Sequence, residues 1–576
     1  MNRSDDQIGD VGESSSRLTS PADQFSRGDE ASALRGFPPL GPAIKALMIW
    51  PEIPASFWGS QGVGIVPENG GMPPLGLITV AALCPKNWTV RLIDRAVDRL
   101  EDADFLWADL VMVGGMHVQK KDVKNLLARA RELGRRTIVG GPYASSEPDS
   151  LLALADHVVV GEPDEVFDKI AGELEQGRAR RLYVISDKPD VSRTPPPRFD
   201  LLKLENYRFM SVQFSRGCPF QCEFCDIITI YGRKPRTKAP AQLLAELQLL
   251  VDLGWRKHVF VVDDNFIGNH KLALELCVEM ESWQKTRKYP LVFFTEASID
   301  LAQRTELMDA MVRANFLFVF IGIESPSKES LKEAKKFQNL RHDPLESVHI
   351  IQAKGLWVTA GFIMGFDSDT ADIFEAQREF IERAAIPWAM AGFLQAPPTT
   401  PLFDRMLKAG RLNLDTQATS NFDVPNFKTI LPLPVLLSGF RDTLVSLYSP
   451  ATFYKRSYRS LQQWHVGAAQ RAVQYPAQYK ERRGMARIIR IIARSIYHQG
   501  LCSNYRVAYW TFFIRVFGRW MFNRPKLSLG LVLLISGHHF IGYARNVVEQ
   551  LDLELGRLPA ERPAITPTPQ PAVPAC

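Results

Sequence analysis

The sequence predicts an α/β protein with two successive parallel sheets and a mainly helical C-terminal region. Short apolar runs alternate with stretches of helical spacing from about residue 43 to 165, and again from about 208 to 410. Strands buried on both faces of a parallel sheet have this pattern, because helices connect them and cover the sheet. The first series predicts a doubly wound, flavodoxin- or Rossmann-like domain, and the second predicts a partial (β/α)6 barrel.

The first series contains five predicted strands and two clear helices. The strands are KALMIW (45–50), TVRLID (89–94), DLVMVGG (109–115), RTIVGG (136–141) and HVVVGE (157–162). The helices are LGLITVAALC (75–84) and VQKKDVKNLLARARELG (118–134). Several strands end in glycine, which lets a ligand approach the backbone where such sheets bind their ligands. Residues 165–205 predict a linker.

The second series contains six predicted strands separated by helical stretches. They are RFMSVQFSRG (208–217), HVFVVDD (258–264), LVFFTEAS (291–298), FLFVFIGIE (316–324), WVTAGFIMGF (357–366) and WAMAGFLQ (388–395). Polar residues cluster at the carboxyl ends of these strands. Barrel enzymes carry their chemistry at that end.

The chain of 576 residues is too long for one hydrophobic core, and its 46% hydrophobic and 23% charged residues are typical of a globular protein. The predicted divisions are a tail (1–40), a domain with its linker (41–190), the barrel (200–410), a helical region (411–555) and a Pro-rich tail (556–576). The first 36 residues show no signal peptide. Three cysteines within eight residues suit metal binding in a reducing compartment, so we expect a cytoplasmic location.

The strongest motif is SRGCPFQCEFCDIITIYGRKPRTK, residues 215–238, with Cys218, Cys222 and Cys225 in the loop after the first barrel strand. Three thiolates can hold three irons of a 4Fe–4S cluster and leave the fourth iron open. The alternatives are a zinc knuckle and buried free thiols. A structural zinc site needs four ligands, and no fourth Cys or His lies close by in the sequence.

This motif resembles that of the radical S-adenosylmethionine (SAM) enzymes, including an aromatic residue before the third cysteine. The resemblance implies that SAM chelates the open iron, that an electron from the cluster cleaves SAM to a 5′-deoxyadenosyl radical, and that an external flavodoxin- or ferredoxin-like donor supplies the electron. The SAM-binding residues that it implies are Phe224, Asp263, Asp264, Asn265, Glu296, Glu324, Gly361 and Gly365. Any single acidic residue among them could instead cap a helix or face solvent.

The first domain resembles the cobalamin-binding domain of class B radical SAM methylases in MPPLGLITVAALC, GMHVQ (115–119), VGGPYASSEP (139–148) and VVVGEPDE (158–165). The cobalamin-binding residues that the resemblance implies are Pro74, Gly76, Met116, His117, Val118, Gly140, Gly141, Pro142, Gly161 and Glu162. Many such domains carry Asp-x-His-x-x-Gly, but here no His follows Asp94, so this loop supplies no ligand to cobalt. The alternative is a doubly wound domain that binds a nucleotide or nothing.

The resemblance extends to the C-methyltransferases of polycyclic lipids (hopanoids) and of bacteriochlorophyll pigments. It implies cobalamin-dependent methyl transfer to an unactivated carbon of an apolar polycyclic or tetrapyrrole-like small molecule. No catalytic acid or base is assigned, because the radical supplies the reactivity. Two alternatives stay open: a radical SAM oxidoreductase or cyclase with the same cofactors, and a non-catalytic cobalamin or Fe–S sensor.

Positive charge is concentrated late in the chain. Residues 451–526 contain fifteen Lys and Arg and one acidic residue, Glu481, whereas the rest of the chain holds 54 basic and 62 acidic residues. The segment also contains Tyr454, Tyr458, Trp464, Tyr497, Tyr509, Trp510, Phe513, Phe517 and Trp520.

This pattern is consistent with peripheral contact at an anionic inner-membrane surface, with RNA binding, or with a helical cap that has an aromatic core. RNA methylthiotransferases carry a second cysteine triad before the barrel, but Cys84 is the only cysteine here before Cys218, so no nucleic acid is expected. The apolar run LSLGLVLLISG (527–537) is too short to span a bilayer.

Overall fold

The computed structural model describes residues 37–54, 56–57, 65, 71–413, 420, 422–467 and 482–557. Almost all of both predicted tails lies outside these residues. The described chain forms two parallel six-stranded sheets and a C-terminal set of helices. The predicted α/β fold class is confirmed.

The first sheet is parallel, with strand order β2-β1-β3-β4-β5-β6. Its strands are β1 (Lys45–Trp50), β2 (Thr89–Asp94), β3 (Leu110–Gly114), β4 (Arg136–Gly140), β5 (His157–Val160) and β6 (Leu182–Val184). Its helices are α1 (Leu75–Leu83), α2 (Asp102–Trp107), α3 (Lys120–Glu132), α4 (Pro142–Ser146), α5 (Asp149–Leu152) and α6 (Phe167–Glu175). The order reverses beside β1, which creates the switch point where doubly wound sheets bind ligands.

Strand β6 corrects the predicted linker over 165–205, because it extends the first sheet by pairing with β5. Its three residues give too short an apolar run to identify from sequence. The helices cover both faces of the sheet, so two apolar cores form, one containing Leu47 and Val111 and the other containing Met48 and Met112. Alternating residues of each strand supply the two cores.

The second sheet is a partial barrel with strand order β14-β13-β12-β11-β10-β7, again all parallel. Its strands are β7 (Phe209–Val212), β10 (His258–Val261), β11 (Val292–Ala297), β12 (Phe316–Glu324), β13 (Trp357–Met364) and β14 (Ala389–Phe393), and a small antiparallel pair is formed by β8 (Ser215–Arg216) and β9 (Arg236–Thr237). The predicted strand 208–217 is therefore two strands, β7 and β8. The break comes where the chain leaves the barrel to form the cysteine loop.

The barrel strands alternate with helices that cover the outer face. These helices are α7 (Ile227–Ile230), α8 (Pro240–Asp252), α9 (His270–Thr286), α10 (Thr305–Arg313), α11 (Lys328–Glu333), α12 (Pro344–Lys354), α13 (Ile373–Arg383) and α14 (Pro401–Lys408). Outward-facing residues such as Val259, Phe293 and Val319 are fully buried under them.

The C-terminal region is helical, as expected. Its elements are α15 (Leu433–Leu447), α16 (Pro450–Gln463), α17 (Arg482–Ser495), a π-helical turn (Ile496–Leu501), α18 (Arg506–Trp520) and α19 (Arg524–Arg557). Their buried residues join the barrel's own apolar core, so the two regions share one core.

Helix α19 corrects the interpretation of the run 527–537, which is only part of a 34-residue helix. By length and composition this is the one helix, within the described ranges, that could cross a membrane. Its buried stripe, including Leu533, Phe540, Ala544 and Leu551, packs in the shared core. Core helices pass the same test, so the finding is weak evidence for a span.

Candidate functional site

The cysteine loop is held at both ends by the barrel. The β8–β9 pair closes the loop, and the Asp263 carboxylate accepts hydrogen bonds from the backbone N–H of Phe214 (2.7 Å) and of Ser215 (2.8 Å) and from the Ser215 hydroxyl (2.6 Å). Asp263 is fully buried. Asp263 was predicted to bind SAM. In the structure both of its carboxylate oxygens instead hold the backbone that leads to the cysteines.

A glycine is required where the loop begins. Gly217 has φ +95°, and a Cβ atom there would lie 2.7 Å from the carbonyl oxygen of Gly232, on the other side of the loop. An L side chain would be strained in this conformation and would push the two sides apart. The residue before Cys218 therefore sets how tightly the loop closes.

The three predicted cluster ligands lie together in this loop. Burial raises the pKa of the Cys218 thiol to about 11 and raises that of Cys225 well above its ordinary value, and the neighbouring cysteines add to both effects. The side-chain amide of Gln338 lies 3.6 Å from Cys222 Sγ. Within the described ranges no three Cys, His, Asp or Glu side chains converge on a single ion. A 4Fe–4S cluster does not require side chains to converge on one ion, because each thiolate binds a different iron.

Three carboxylates, of Asp264, Glu296 and Glu324, lie near one another at the ends of the neighbouring strands β10, β11 and β12. Burial, followed by the other carboxylates, raises the pKa of Glu296 to about 8, and burial raises that of Asp264 to about 7. Asp264 Oδ2 is buried and has no hydrogen-bond partner among the described residues. An unsatisfied acceptor in an acidic pocket fits a ligand with a positive centre and several donors, which describes SAM.

Lys336 is the counter-charge of this pocket, and the sequence did not reveal it. Its Nζ donates to Glu324 Oε1 and lies 5.8 Å from the centre of the Phe224 ring. Burial lowers the lysine pKa, but Glu324 and Cys222 outweigh burial, so the pKa is raised and the ammonium persists. A Cβ atom at Gly322 would lie 2.4 Å from Glu324 Oε1 and 2.7 Å from Lys336 Nζ, so only glycine leaves room for the pair.

The remaining predicted SAM residues have these surroundings. Asn265 Oδ1 accepts hydrogen bonds from the backbone and hydroxyl of Ser298, so this side chain ties two strand ends together. A Cβ at Gly361 would lie 2.9 Å from the Phe320 ring, and one at Gly365 would lie 3.4 Å from Leu436. Packing against Phe320 explains Gly361, and a backbone φ of +103° explains Gly365, so contacts of the two glycines with adenine stay a prediction.

A second unpredicted feature is an ion network on Arg405 that braces the middle of the loop. Its guanidinium donates to Glu223 (3.0 Å), Asp367 (2.8 Å) and Glu333 (3.1 Å), and Arg411 also binds Asp367. Glu223 lies between the second and third cysteines. The network therefore ties the loop to helices α11 and α14 and to the segment after β13.

The predicted cobalamin residues meet at the carboxyl edge of the first sheet. They follow β3, β4 and β5 or begin α1, as the doubly wound topology requires. Gly141 has φ +92°, and the neighbouring Tyr143 N–H donates to the carbonyl of Gly115, which joins two of these turns. Gly76 is exposed, and a Cβ atom there would meet no other atom within 4 Å. The contacts of these residues with cobalamin stay predictions.

Glu162, predicted to bind cobalamin, has its carboxylate occupied by the barrel. It pairs with Arg216 (2.8 Å) and Arg236 (2.7 Å), and Asp164 also pairs with Arg216 (2.9 Å). The four side chains are between 4% and 14% exposed. This buried network joins the turn after β5 to the β8–β9 pair that closes the cysteine loop.

Asp94 and His117, which lie at the carboxyl edge of the first sheet, are also held by hydrogen bonds or ion pairs. Asp94 Oδ2 accepts a hydrogen bond from Tyr207 Oη (2.6 Å), a residue just before the barrel. His117 Nδ1 lies 2.9 Å from Glu147 Oε1. Both contacts hold the side chains against the protein at the edge of the sheet.

Family models match three segments of the chain. They are described as a B12 binding domain (residues 66–171), the Radical SAM superfamily (212–381) and a domain of unknown function, DUF4070 (400–552). The first match spans β2 to β5 of the doubly wound domain, and the second spans most of the barrel, up to α13.

Several curated proteins are similar over most of the chain. An uncharacterized methyltransferase of Synechocystis sp. is 40% identical over 88% of this chain and 93% of its own length. The hopanoid C-2 methylase of Rhodopseudomonas palustris is 35% identical over 82% of this chain and 88% of its own length. The bacteriochlorophyllide d C-12(1)-methyltransferase of Chlorobaculum tepidum is 26% identical over 60% of this chain and 76% of its own length.

Solved structures share the fold at low identity. The cobalamin-dependent S-adenosylmethionine radical enzyme OxsB matches with a TM-score of 0.55 at 14% identity over 89% of this chain and 84% of its own. The radical S-adenosylmethionine methyltransferase TsrM of Kitasatospora setae matches with a TM-score of 0.54 at 13% identity over 89% of this chain and 100% of its own.

Proposed function

Because the chain belongs to the radical SAM methyltransferases that carry an N-terminal B12-binding domain, we propose that its substrate is an apolar polycyclic lipid of the hopanoid type. The enzyme is a C-methyltransferase that takes a 4Fe–4S cluster, SAM and cobalamin. These groups supply a carbon radical and a methyl donor, so the protein has to bind, align and shield them.

The observation that carries the substrate proposal is a chain of aromatic rings along the barrel wall. Phe260 stacks on Phe294 at 4.7 Å, and Phe294 stacks on Phe318 at 4.5 Å. Phe318 contacts Trp388 at 6.2 Å, and Trp388 contacts Phe540 of α19 at 5.5 Å. The rings cross from β10 to β14 and continue onto the C-terminal helix.

Strand alternation places these rings on the inner face of the barrel. Neighbouring side chains of a strand point to opposite faces, so Phe294 shares a face with Glu296. Phe260 and Phe318 pair with Phe294 across the neighbouring strands and therefore lie on the same face. Phe293 and Val261, which are next to Phe294 and Phe260 in the sequence, are fully buried and face the covering helices. The ring residues of the strands are only partly buried. The aromatic wall therefore lies directly below the carboxylates of the candidate SAM pocket.

This arrangement suits a rigid apolar molecule. The wall consists of flat Phe and Trp rings. Such a surface favours a substrate that is held by apolar contact and not by hydrogen bonds. The carboxylates and Lys336 hold the polar groups of SAM above the wall, so an unactivated C–H bond can lie beside them away from water. Among the relatives, the hopanoid C-2 methylase matches more of its length and at higher identity than the bacteriochlorophyllide enzyme.

Product analysis tests the substrate directly. We expect a deletion strain to lack a polycyclic lipid that is heavier by one CH2 unit than a retained precursor, and the anaerobically reconstituted enzyme to make that lipid from the precursor. A changed pigment with unchanged lipids would support a tetrapyrrole instead. An oxidised or cyclised product without added carbon would contradict methyl transfer.

Removing two rings from the wall should weaken substrate binding selectively. In the Phe294→Leu, Phe318→Leu double variant we expect the KM for the lipid to rise roughly 5- to 150-fold, because each of the two lost aromatic contacts is worth about 0.5–1.5 kcal/mol. Formation of 5′-deoxyadenosine at saturating SAM should change little. Steady-state kinetics with detergent-dispersed lipid measure both quantities.

The matched control for that variant is Phe293→Leu, which changes the neighbouring ring on the outer face. Phe293 is fully buried beneath the helices, so this change should lower thermal stability and leave the KM for the lipid unaltered. An equal rise of KM in both variants would mean that the rings act only through barrel stability.

The cobalamin of this enzyme should carry no histidine on cobalt. The loop after β2 has no His, and the carboxylate of Asp94 is held by Tyr207. EPR of the protein in the cob(II)alamin form should lack the nitrogen superhyperfine splitting of an axial imidazole. Splitting that disappears in a His117→Gln variant would contradict the prediction and identify His117 as the ligand.

The proposal includes two partners beyond the substrate. An external flavodoxin- or ferredoxin-like carrier would supply electrons, and the exposed Arg233 and Lys234 on the cysteine loop offer a positive surface for an acidic carrier. Peripheral contact with an anionic membrane would bring the enzyme to an apolar substrate dissolved in lipid.

A further inference from the structure

Helix α18 has two apolar faces, although only one of them is covered. Tyr509, Phe512, Val516 and Trp520 are buried and face the neighbouring helices. The opposite side exposes Val507 (76% exposed), Ile514 (64%) and Phe517 (44%), and continues with Met521 (42%) and Phe522 (91%). The spacings of seven, three and four residues from Val507 to Met521 place these side chains along one stripe.

Arginines without acidic partners surround this stripe. Arg506, Arg515, Arg519 and Arg524 are exposed, and none forms an ion pair with any described residue. The sequence contains no Asp or Glu from residue 482 to 548. An exposed apolar stripe with guanidinium groups at its margins matches a phospholipid surface, which offers acyl chains to the stripe and phosphates to the guanidiniums.

We propose that Val507, Ile514, Phe517, Met521 and Phe522 form a docking face that inserts into the surface of an anionic phospholipid bilayer. This assigns a task to the segment that matches the domain of unknown function. It rests on the proposed function in one respect, because a lipid-dissolved substrate explains why the enzyme needs the contact.

The structure changes which residues of 451–526 are expected to contact a membrane. Of the nine aromatic residues named there, Tyr454, Trp464, Tyr509 and Trp520 are buried. Among the cations, Arg456 is fully buried and pairs with Glu382. The residues that can enter lipid are the exposed Val507, Ile514 and Met521 together with Phe517 and Phe522, so apolar insertion should contribute beside electrostatic attraction.

The docking face is joined to the barrel wall by one helix. Helix α19 begins at Arg524, beside the docking face, and Phe540 of the same helix contacts Trp388 of the wall. Sixteen residues of α-helix separate the two positions by about 24 Å. The path from the docking face to the inner wall is therefore about 24 Å along this helix, a little more than half of the roughly 40–45 Å thickness of a bilayer with its headgroups.

Vesicle co-sedimentation of the full chain with its cofactors tests the docking face. The parent should bind vesicles of phosphatidylcholine and phosphatidylglycerol in equal parts more tightly than vesicles of phosphatidylcholine alone. The Ile514→Ser, Phe522→Ser variant should bind the mixed vesicles roughly tenfold or more weakly. The Arg515→Gln, Arg519→Gln variant should show a weaker preference for phosphatidylglycerol and a weaker dependence on salt, because Arg506 and Arg524 remain.

The control is Leu106→Ser, which removes a 55%-exposed leucine from the first domain and should leave vesicle binding unchanged. Unaltered binding in the Ile514→Ser, Phe522→Ser variant would overturn the proposal. So would a parent that ignores both vesicles and forms a dimer that this variant abolishes, because the face would then contact a second copy.

The proposal of the docking face and the proposal of the substrate can be refuted independently. With detergent-dispersed lipid, all three variants should keep the parent's methylation rate, since none of the changed residues touches the barrel wall. A parent that binds vesicles yet methylates no polycyclic lipid would retain the docking face and refute the substrate.

Discussion

Replacing Cys225 with Ala should abolish both the 4Fe–4S cluster and SAM cleavage. Each of the three loop thiolates holds one iron, and two cannot retain a cubane. Cys277 is fully buried beneath the barrel in α9 and cannot substitute. Anaerobic iron and sulfide analysis, the EPR signal of the reduced cluster and the yield of 5′-deoxyadenosine should all fall to background.

The control is Cys502→Ala, which removes an exposed thiol from the C-terminal region. It should keep the parent's iron content and 5′-deoxyadenosine yield. A complete cluster spectrum in the Cys225→Ala variant would remove the assignment of this loop as the cluster site.

Replacing Lys336 with Met should lower the free energy of unfolding by about 3–5 kcal/mol and should also weaken SAM binding, because Glu324 loses the partner that holds it in place. The change leaves Glu324 buried beside Asp264 and Glu296 with no counter-charge, and removing one partner of a buried ion pair costs about 3–5 kcal/mol. Denaturant unfolding measures the first effect, and calorimetric titration with SAM under anaerobic conditions measures the second. The cluster content should stay close to that of the parent, because Lys336 holds no iron.

The Lys336→Arg variant separates charge from shape. It restores the positive charge in a larger group, so SAM affinity should recover in part while the cluster is again unaffected. Equal SAM affinity in the parent and the Lys336→Met variant would show that the lysine only fills space beneath the cysteine loop.

The sequence predicted most of the two parallel sheets, because most of the buried strands are short apolar runs, and several of them end in glycine or an acidic residue. It also placed the three carboxylates of the SAM pocket at neighbouring strand ends. It could not show which way a strand-end side chain turns. Asp263 and Asp264 are adjacent, yet both carboxylate oxygens of the first are hydrogen-bonded to the loop backbone, whereas Oδ2 of the second has no partner among the described residues. Glu162 likewise turns to two arginines from the other domain.

Lys336 was missed for a related reason. It lies in the charged stretch SLKEAKKF, which has the composition of a solvated helix face. The chain folds this stretch back over the barrel, so one lysine of several becomes buried beside Glu324. Only its contact with Glu324 in the folded chain distinguishes Lys336 from the neighbouring lysines. The same holds for the aromatic residues of the C-terminal helices. Their sequence pattern does not separate buried rings, such as Tyr509, from exposed ones, such as Phe517.

The buried network of Glu162 and Asp164 with Arg216 and Arg236 has a consequence for recombining such enzymes. A chimera that grafts this cobalamin domain onto a barrel without arginines at those two positions would bury two carboxylates with no positive partner. Each broken pair would cost about 3–5 kcal/mol, and the misfit would fall directly beside the cysteine loop. The two modules are therefore exchangeable only when the graft carries the four charged residues together.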